Sequence, residues 1–346
     1  MLVGRVTIRC RQKLIKTMPP PRSVDLLLAL QGGGAHGAFT WGVIDRLLEE
    51  PSIGIEAISA TSSGAVNAVA MAHGWIEGGR EGARAHLARI WQRIGEKGAL
   101  ASWGFGPSVS GAWLDELARH FTPAQFNPLG LNPLADLLDE LIDFDRLRAM
   151  RPFRLHLAAT RVRDGALVLF GGDQVTRDAV LASTCLPQLF HAVEIEGETF
   201  WDGGYAGNPA LAPLFYEARA PDLLCILVQP LQRPRLPVSP REIEERAMDF
   251  AFSATFLREL ETLAKSQRLI RGKLASTALG RRLQSLRLHL IEPGGSLANA
   301  GVNAKLDTRP AMLRALWSLG REHADEWLIA HGSALGHRAT YSIPAN

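Results

Sequence analysis

The sequence predicts an α/β fold, a three-layer α/β/α sandwich on a mainly parallel central sheet, and three observations predict it. Val24 to Leu30, VDLLLAL, is a nearly continuous apolar run, as expected of a strand buried on both faces. The order strand, loop, helix, strand, turn, helix then follows through residue 73, which argues for a parallel sheet covered on both sides. Far along the chain LLCILV, 223–228, is another fully apolar strand.

The remaining elements follow in order. A helix is expected over 38–50, with Trp41, Ile44 and Leu48 forming an inward stripe. Strand 55–61 leads into a helix over 64–73. A second helix, 80–95, carries Leu87, Ile90, Trp91 and Ile94 on one side. The stretch 99–114 mixes glycine and serine with Trp103, Phe105 and Trp113, which suits either a lid at an acyl-chain entry or a cover for the core. Residues 132–150 read as helical, with a charged turn at 143–146. Strands are expected at 153–162 and 166–170, a helix at 177–184, and a hairpin over 193–204 turning at Glu196-Gly197-Glu198. After a Pro-rich break at Val238, a long helix is expected over 241–276, with Ile243, Phe250, Ala254 and Leu257 as apolar members. A strand at 286–291 and an amphipathic helix at 311–330 close the pattern.

At 346 residues, 47% hydrophobic and 21% charged, the chain can bury a large core and is not a disordered one. A net charge of +3 gives no argument for a nucleic-acid partner. Cys10, Cys185 and Cys225 form no CxxC motif and no Cys/His cluster, so neither a disulfide framework nor a zinc site is expected. No run approaches the ~18 apolar residues of a membrane span, and a cytoplasmic, reducing setting is the expectation. Residues 1–22 hold six Lys/Arg and no acid and end in a proline run. They read as a basic disordered tail, or as a tether to anionic lipid in which each basic residue adds about 1 kcal/mol. No boundary interrupts 23–330, so one domain is expected there, followed by a tail over 331–346. Oligomeric state is left open.

The chemistry concentrates in three places. Ala60-Thr61-Ser62-Ser63-Gly64 joins a strand to a helix and is one residue short of a G-x-S-x-G nucleophile elbow, with Ser62 at its centre and Ser63 as a rival. Such turns also occur as plain strand–helix connections. Gly32-Gly33-Gly34-Ala35-His36-Gly37 supplies unobstructed backbone N–H groups at a helix start, a setting for a phosphate or an oxyanion. Gly32, Gly34 and Gly37 also satisfy the dinucleotide fingerprint, yet the required acid, Glu56, lies at the start of the second strand rather than its end. No histidine is placed as a base; His36 sits in the loop, and His73, His156 and His191 sit in or beside elements. Asp202, in Asp202-Gly203-Gly204, is a carboxylate at a strand end with room to approach other backbone, though a lone D-G-G is more often a simple hairpin turn.

Together GGGAHG at 32–37, ATSSGA at 60–65, AST-x-LP at 182–187, DGG at 202–204 and Asn208-Pro209 resemble the patatin-like phospholipases, in family order over most of 24–330. The resemblance implies a patatin-like fold and lipid acyl hydrolysis by a Ser-Asp dyad without histidine, metal or cofactor. It implies Ser62 as nucleophile, Asp202 as base, and Gly32, Gly33 and Gly34 as oxyanion donors. Ala60, Gly64, Gly37, Gly203 and Gly204 would support the elbow and loop. His36 stands where the family usually has Arg or Lys, a milder cation, and Ala60 replaces the elbow's first glycine. A lipid substrate and peripheral contact with a membrane follow as expectations. The competing readings are an NAD(P)-binding oxidoreductase using the 32–37 loop and a non-catalytic lipid-binding protein.

Overall fold

The two apolar runs at 24–30 and 222–226 are neighbours at the centre of the sheet. They do so in a computed structural model that describes residues 23–104, 122–128, 130–233, 235–298 and 305–342. The strands are β1 (Val24–Leu30), β2 (Ile53–Thr61), β3 (Arg154–Arg161), β4 (Leu167–Gly171), β5 (Val193–Ile195), β6 (Glu198–Asp202), β7 (Asp222–Ile226) and β8 (Arg287–Ile291). They form one mixed sheet in the order β5-β6-β3-β2-β1-β7-β8, with β4 also on β3. The five strands from β3 to β8 in that order are parallel, as their burial on both faces requires.

The main helices are α1 (Gly37–Leu47), α2 (Ser63–Gly104), α3 (Pro133–Leu141), α4 (Arg177–Ser183), α5 (Pro240–Leu269) and α6 (Pro310–His331). Alternation along β1 divides the core in two. Leu26, Leu28 and Leu30 face a cluster containing Phe39 and Val43 of α1, Val69 and Leu87 of α2, Val180 of α4 and Leu316 of α6. Leu27 and Ala29 face a second cluster with Leu211, Leu214, Leu283 and, from α5, Phe256, Leu260 and Leu263. These are the expected three layers.

The antiparallel part of the sheet positions the site. β3 pairs with β2 through Ala158, opposite Thr61, while β4 pairs with His156 to Thr160. β6 pairs with Ala159 to Arg161, two of which β4 already holds on one edge. β6 must therefore occupy the edge that β2 uses, just beyond the end of β2. Asp202 lies opposite Ala159, one step past the Thr61–Ala158 pair, and so beside Ser62.

The helices expected at 64–73 and 80–95 are both present as the two arms of α2, which meet in a sharp kink at Gly78 and Gly79 where φ and ψ leave the helical range. Other expectations are corrected. The expected face of α5 is its outer one: Ile243, Phe250 and Leu257 are 53%, 61% and 39% exposed, whereas Phe256, Leu260 and Leu263 are buried. Both rows have helical spacing, so periodicity alone does not choose between them; the row that meets Leu211, Leu214 and Leu283 is the inner one. The segment after α6, expected as a tail from 331, packs along β8. The amides of Thr340 and Tyr341 donate to the Leu288 carbonyl, and Ala334 and Leu335 are buried. The lid reading of 99–114 falls largely outside the described residues, as do the basic segment 1–22 and residues 343–346. Among the described residues no helix is long and apolar enough to cross a membrane.

The two faces of α5 are separable by mutation. Phe256→Ala is expected to cost about 3–5 kcal/mol in urea unfolding, the range for a fully buried aromatic, and Phe250→Ala less than about 1 kcal/mol. Equal losses would contradict the assigned face.

Candidate active site

Between the last residue of β2 and the first of α2 there is room for one residue, Ser62, and its φ is 53°. That left-handed conformation is uncommon for a residue with a side chain, and it turns the hydroxyl out at a strand–helix elbow. Several contacts hold it. The Ser62 amide donates to Ser183 Oγ at 2.9 Å. Thr61 Oγ1 donates to the Gly207 carbonyl at 2.7 Å and Ser59 Oγ to the Ala210 carbonyl at 2.5 Å, stitching β2 to the segment after Asp202. The backbone approach is too close for side chains. A Cβ on Gly64 would lie 2.5 Å from the Leu30 carbonyl oxygen, and one on Gly32 would lie 2.6 Å from Ser62 Cβ. Ala60, where a glycine was expected, is fully buried in the first core and its methyl has a place there.

Asp202 ends β6 and is 1% exposed. Its Oδ1 accepts from the Gly204 amide at 2.7 Å, and the Ser62 hydroxyl is near enough to favour its ionised form. Its own backbone is fixed on both sides, the amide donating to the Cys185 carbonyl at 2.7 Å and the carbonyl accepting from Thr160 Oγ1 at 2.8 Å. The Gly203 carbonyl accepts from the Gly207 amide at 2.8 Å. Phe252 of α5 packs on Gly204 and, with ring centroids 4.7 Å apart, on Tyr205. Burial pushes the Asp202 carboxyl up to about 7, against the pull of the Gly204 amide and the Ser62 hydroxyl. A carboxyl titrating there suits a base at neutral pH.

The glycine loop meets this pair from the end of β1. The Gly32 amide donates to Asn208 Oδ1 at 2.7 Å and the Gly33 amide to Ser63 Oγ at 3.1 Å. Gly34 has a φ of 59° and lies under the Lys305 carbonyl. The Gly37 carbonyl accepts from Asn67 Nδ2 at 2.9 Å, and Asn67 Oδ1 accepts from Trp91 Nε1 at 2.8 Å, so the starts of α1 and α2 are tied together. Their N-termini converge here, each a site of partial positive charge.

His36 departs from expectation. It is buried, and that burial, aided by the charge of Lys305, lowers its pKa to about 4, so the ring is neutral at physiological pH rather than a mild cation. The nearby cations Arg233 and Lys305 both pair with Asp249. Ser63, the rival serine, accepts from the loop, while Ser62 is the serine near enough to shift the Asp202 carboxyl. Glu56 bonds Arg154 and the amides of Arg219 and Ala220, toward the start of β2 and away from the glycine loop, so it gives a dinucleotide ribose no partner there. Two polar residues were not assigned roles from sequence: Ser183, which holds the elbow amide, and Asn208, which holds Gly32. Both sit in blocks that the family resemblance rests on.

A family model, patatin-like phospholipase, matches residues 28–215, more than half of the chain. The chain belongs to the patatin-like phospholipase family. Lipid acyl hydrolysis is the general activity of that family, and lipid its substrate class. Among solved structures the chain is similar to VipD from Legionella pneumophila, at 14% identity over 90% of this chain and 67% of that one, with a TM-score of 0.37. No curated protein matches the chain significantly.

In this patatin-like chain the buried carboxyl works against stability. Its folded pKa of about 7 lies above the ordinary 3.8, so between those values the folded state holds the proton more firmly than the unfolded state. Stability conferred by Asp202 is therefore present at low pH and is lost as pH rises through about 7. At about 1.4 kcal/mol per pH unit the full loss is on the order of 4 kcal/mol. Asp202→Asn, which keeps an oxygen for the Gly204 amide, is expected to raise the unfolding temperature at pH 8 and to change it little at pH 4. A variant less stable than the parent at pH 8 would contradict the burial argument.

Proposed function

We propose that the protein is a serine lipid acyl hydrolase of the phospholipase A type, a carboxylic ester hydrolase that cleaves fatty-acyl esters of phospholipids or related lipids. The observation that carries this reading is the buried Asp202 carboxylate at the end of β6, set one step past the end of β2 and so beside a serine at positive φ.

In this reading Asp202 takes the proton of Ser62 as Oγ attacks the ester carbonyl carbon. Negative charge develops on the carbonyl oxygen. The Gly33 and Gly34 amides are proposed to receive it, Gly33 exchanging its present bond to Ser63 Oγ for one to the oxyanion. The converging N-termini of α1 and α2 add favourable field. Gly32, first read as a donor, is proposed to act through shape: its amide is turned to Asn208, and its missing side chain lets Ser62 approach. Collapse expels the alcohol, which takes its proton from Asp202. Water, deprotonated by the same carboxylate, then attacks the acyl-enzyme; the bond to Ser62 Oγ breaks, Oγ takes the proton back from Asp202, and the fatty acid is released. Every proton therefore passes through one residue. The basic segment 1–22 supports contact with anionic lipid at a membrane surface.

Hydrolysis of a p-nitrophenyl acyl ester tests this. Ser62→Ala and Asp202→Asn are each expected to lower kcat about a thousandfold or more, and Ser62→Ala to abolish labelling by a fluorophosphonate. Turnover that survives either substitution would refute the dyad. The base must be ionised, so kcat/KM should climb about tenfold per pH unit on the acid side and level off above about 7. A profile flat from pH 5 to 8 would exclude Asp202 as the base.

A further inference from the structure

The bend in α2 brings together three side chains that the sequence keeps apart. His73 and Glu77 sit one turn apart on the arm before Gly78-Gly79, and His86 lies on the arm after it. The arms touch backbone to backbone: a Cβ on Gly74 would lie 2.4 Å from the Gly82 carbonyl oxygen and 2.6 Å from His86 Cβ. The His73 and His86 rings are 4.6 Å apart between centroids. His86 Nδ1 and Glu77 Oε2 are separated by 3.4 Å, and one ligand atom from each of the three residues lies within 4.8 Å of the others.

Two features set this cluster apart from a surface group of polar residues. Both imidazoles are at least nine-tenths buried, His73 5% and His86 4% exposed. His73 Nδ1 also has no hydrogen-bond partner among the described residues. Burying such an atom unpaired costs about 1–3 kcal/mol, so its place beside a second buried imidazole and a carboxylate requires an explanation. Stacking accounts for the ring contact but not for the unpaired nitrogen.

We propose that His73, Glu77 and His86 bind a divalent transition-metal ion of the zinc class. Two imidazoles and one carboxylate are a recognised donor set for zinc, leaving a fourth position for water. Tetrahedral zinc at about 2.0–2.1 Å from its ligands sets them about 3.4 Å apart, the separation already present between His86 and Glu77. Glu77, with 47% of its side chain exposed, provides the route in and the freedom to close the remaining gap. The ion would clamp the two arms of α2 at their glycine bend. Its distance from Ser62 along the helix, roughly 16–22 Å at 1.5 Å per residue, sets it apart from the hydrolytic site.

The test uses the full chain without a polyhistidine tag, stripped with chelator and titrated with Zn²⁺ by calorimetry, and with Co²⁺ followed by visible absorption. One equivalent is expected to bind, with the intense d–d bands of a four-coordinate cobalt ion and a rise in unfolding temperature. Glu77→Gln and His73→Asn are each expected to weaken binding at least tenfold and to remove the thermal shift. Glu77→Gln, at a half-exposed position, should fold and leave ester hydrolysis unchanged. Failure to bind one equivalent, or equal binding in the parent and Glu77→Gln, would overturn the proposal.

Discussion

The candidate site depends on holding one non-glycine residue, Ser62, at a φ of 53°. Strain of that kind costs on the order of 1–3 kcal/mol and persists only where the surroundings over-determine it. Here they do. Ser183 takes the Ser62 amide, Thr61 and Ser59 bind the segment at 207–210, and Gly32 and Gly64 let neighbouring backbone close in from both sides. Loosening any of these lets the turn relax toward a conformation in which the hydroxyl no longer meets Asp202.

Asp202 reaches Ser62 through strand topology rather than through a long side chain. Because β4 fills one edge of β3, β6 can pair only on the edge that β2 vacates after Thr61. The strand end that delivers the carboxylate is thus placed one step from the elbow. The hydrogen bonds that link the elbow to the 207–210 segment reinforce the same docking. If Asp202 is the base proposed above, it needs no histidine relay, because β6 itself is the positioning device.

Much of this was legible in the sequence, for a specific reason. The elbow, the glycine loop and the Asp-Gly-Gly turn are each local: their chemistry lies within five or six consecutive residues, so spacing and residue size reveal them. Their order along the chain then supplied the family resemblance. The supporting contacts were not legible, since Ser183 and Asn208 act across 121 and 176 residues and only the fold brings them to Ser62 and Gly32. The outer and inner faces of α5 have the same periodicity, so Phe250 was read in place of Phe256. His73 was read only as lying in or beside an element and His86 was not singled out, because the kink that brings them together lies at Gly78 and Gly79. The position of His36 was legible but its charge was not, because charge depends on burial.

The neutrality of His36 bears on how the site handles charge. With that ring uncharged, and Arg233 and Lys305 drawn to Asp249, the loop places no ionised side chain of its own beside the oxyanion position. The remaining source of positive potential is backbone: loop amides and the N-terminal ends of α1 and α2. Backbone dipoles are held rigid by the fold, so they stabilise charge as it forms without reorganising first. A fixed cation there would also favour the ionised form of Asp202, lowering its pKa and weakening it as a base. A neutral residue at position 36 therefore leaves the burial-raised pKa of Asp202 intact, so under the proposed reaction the burial that costs stability is also what fits the carboxylate to accept a proton near pH 7.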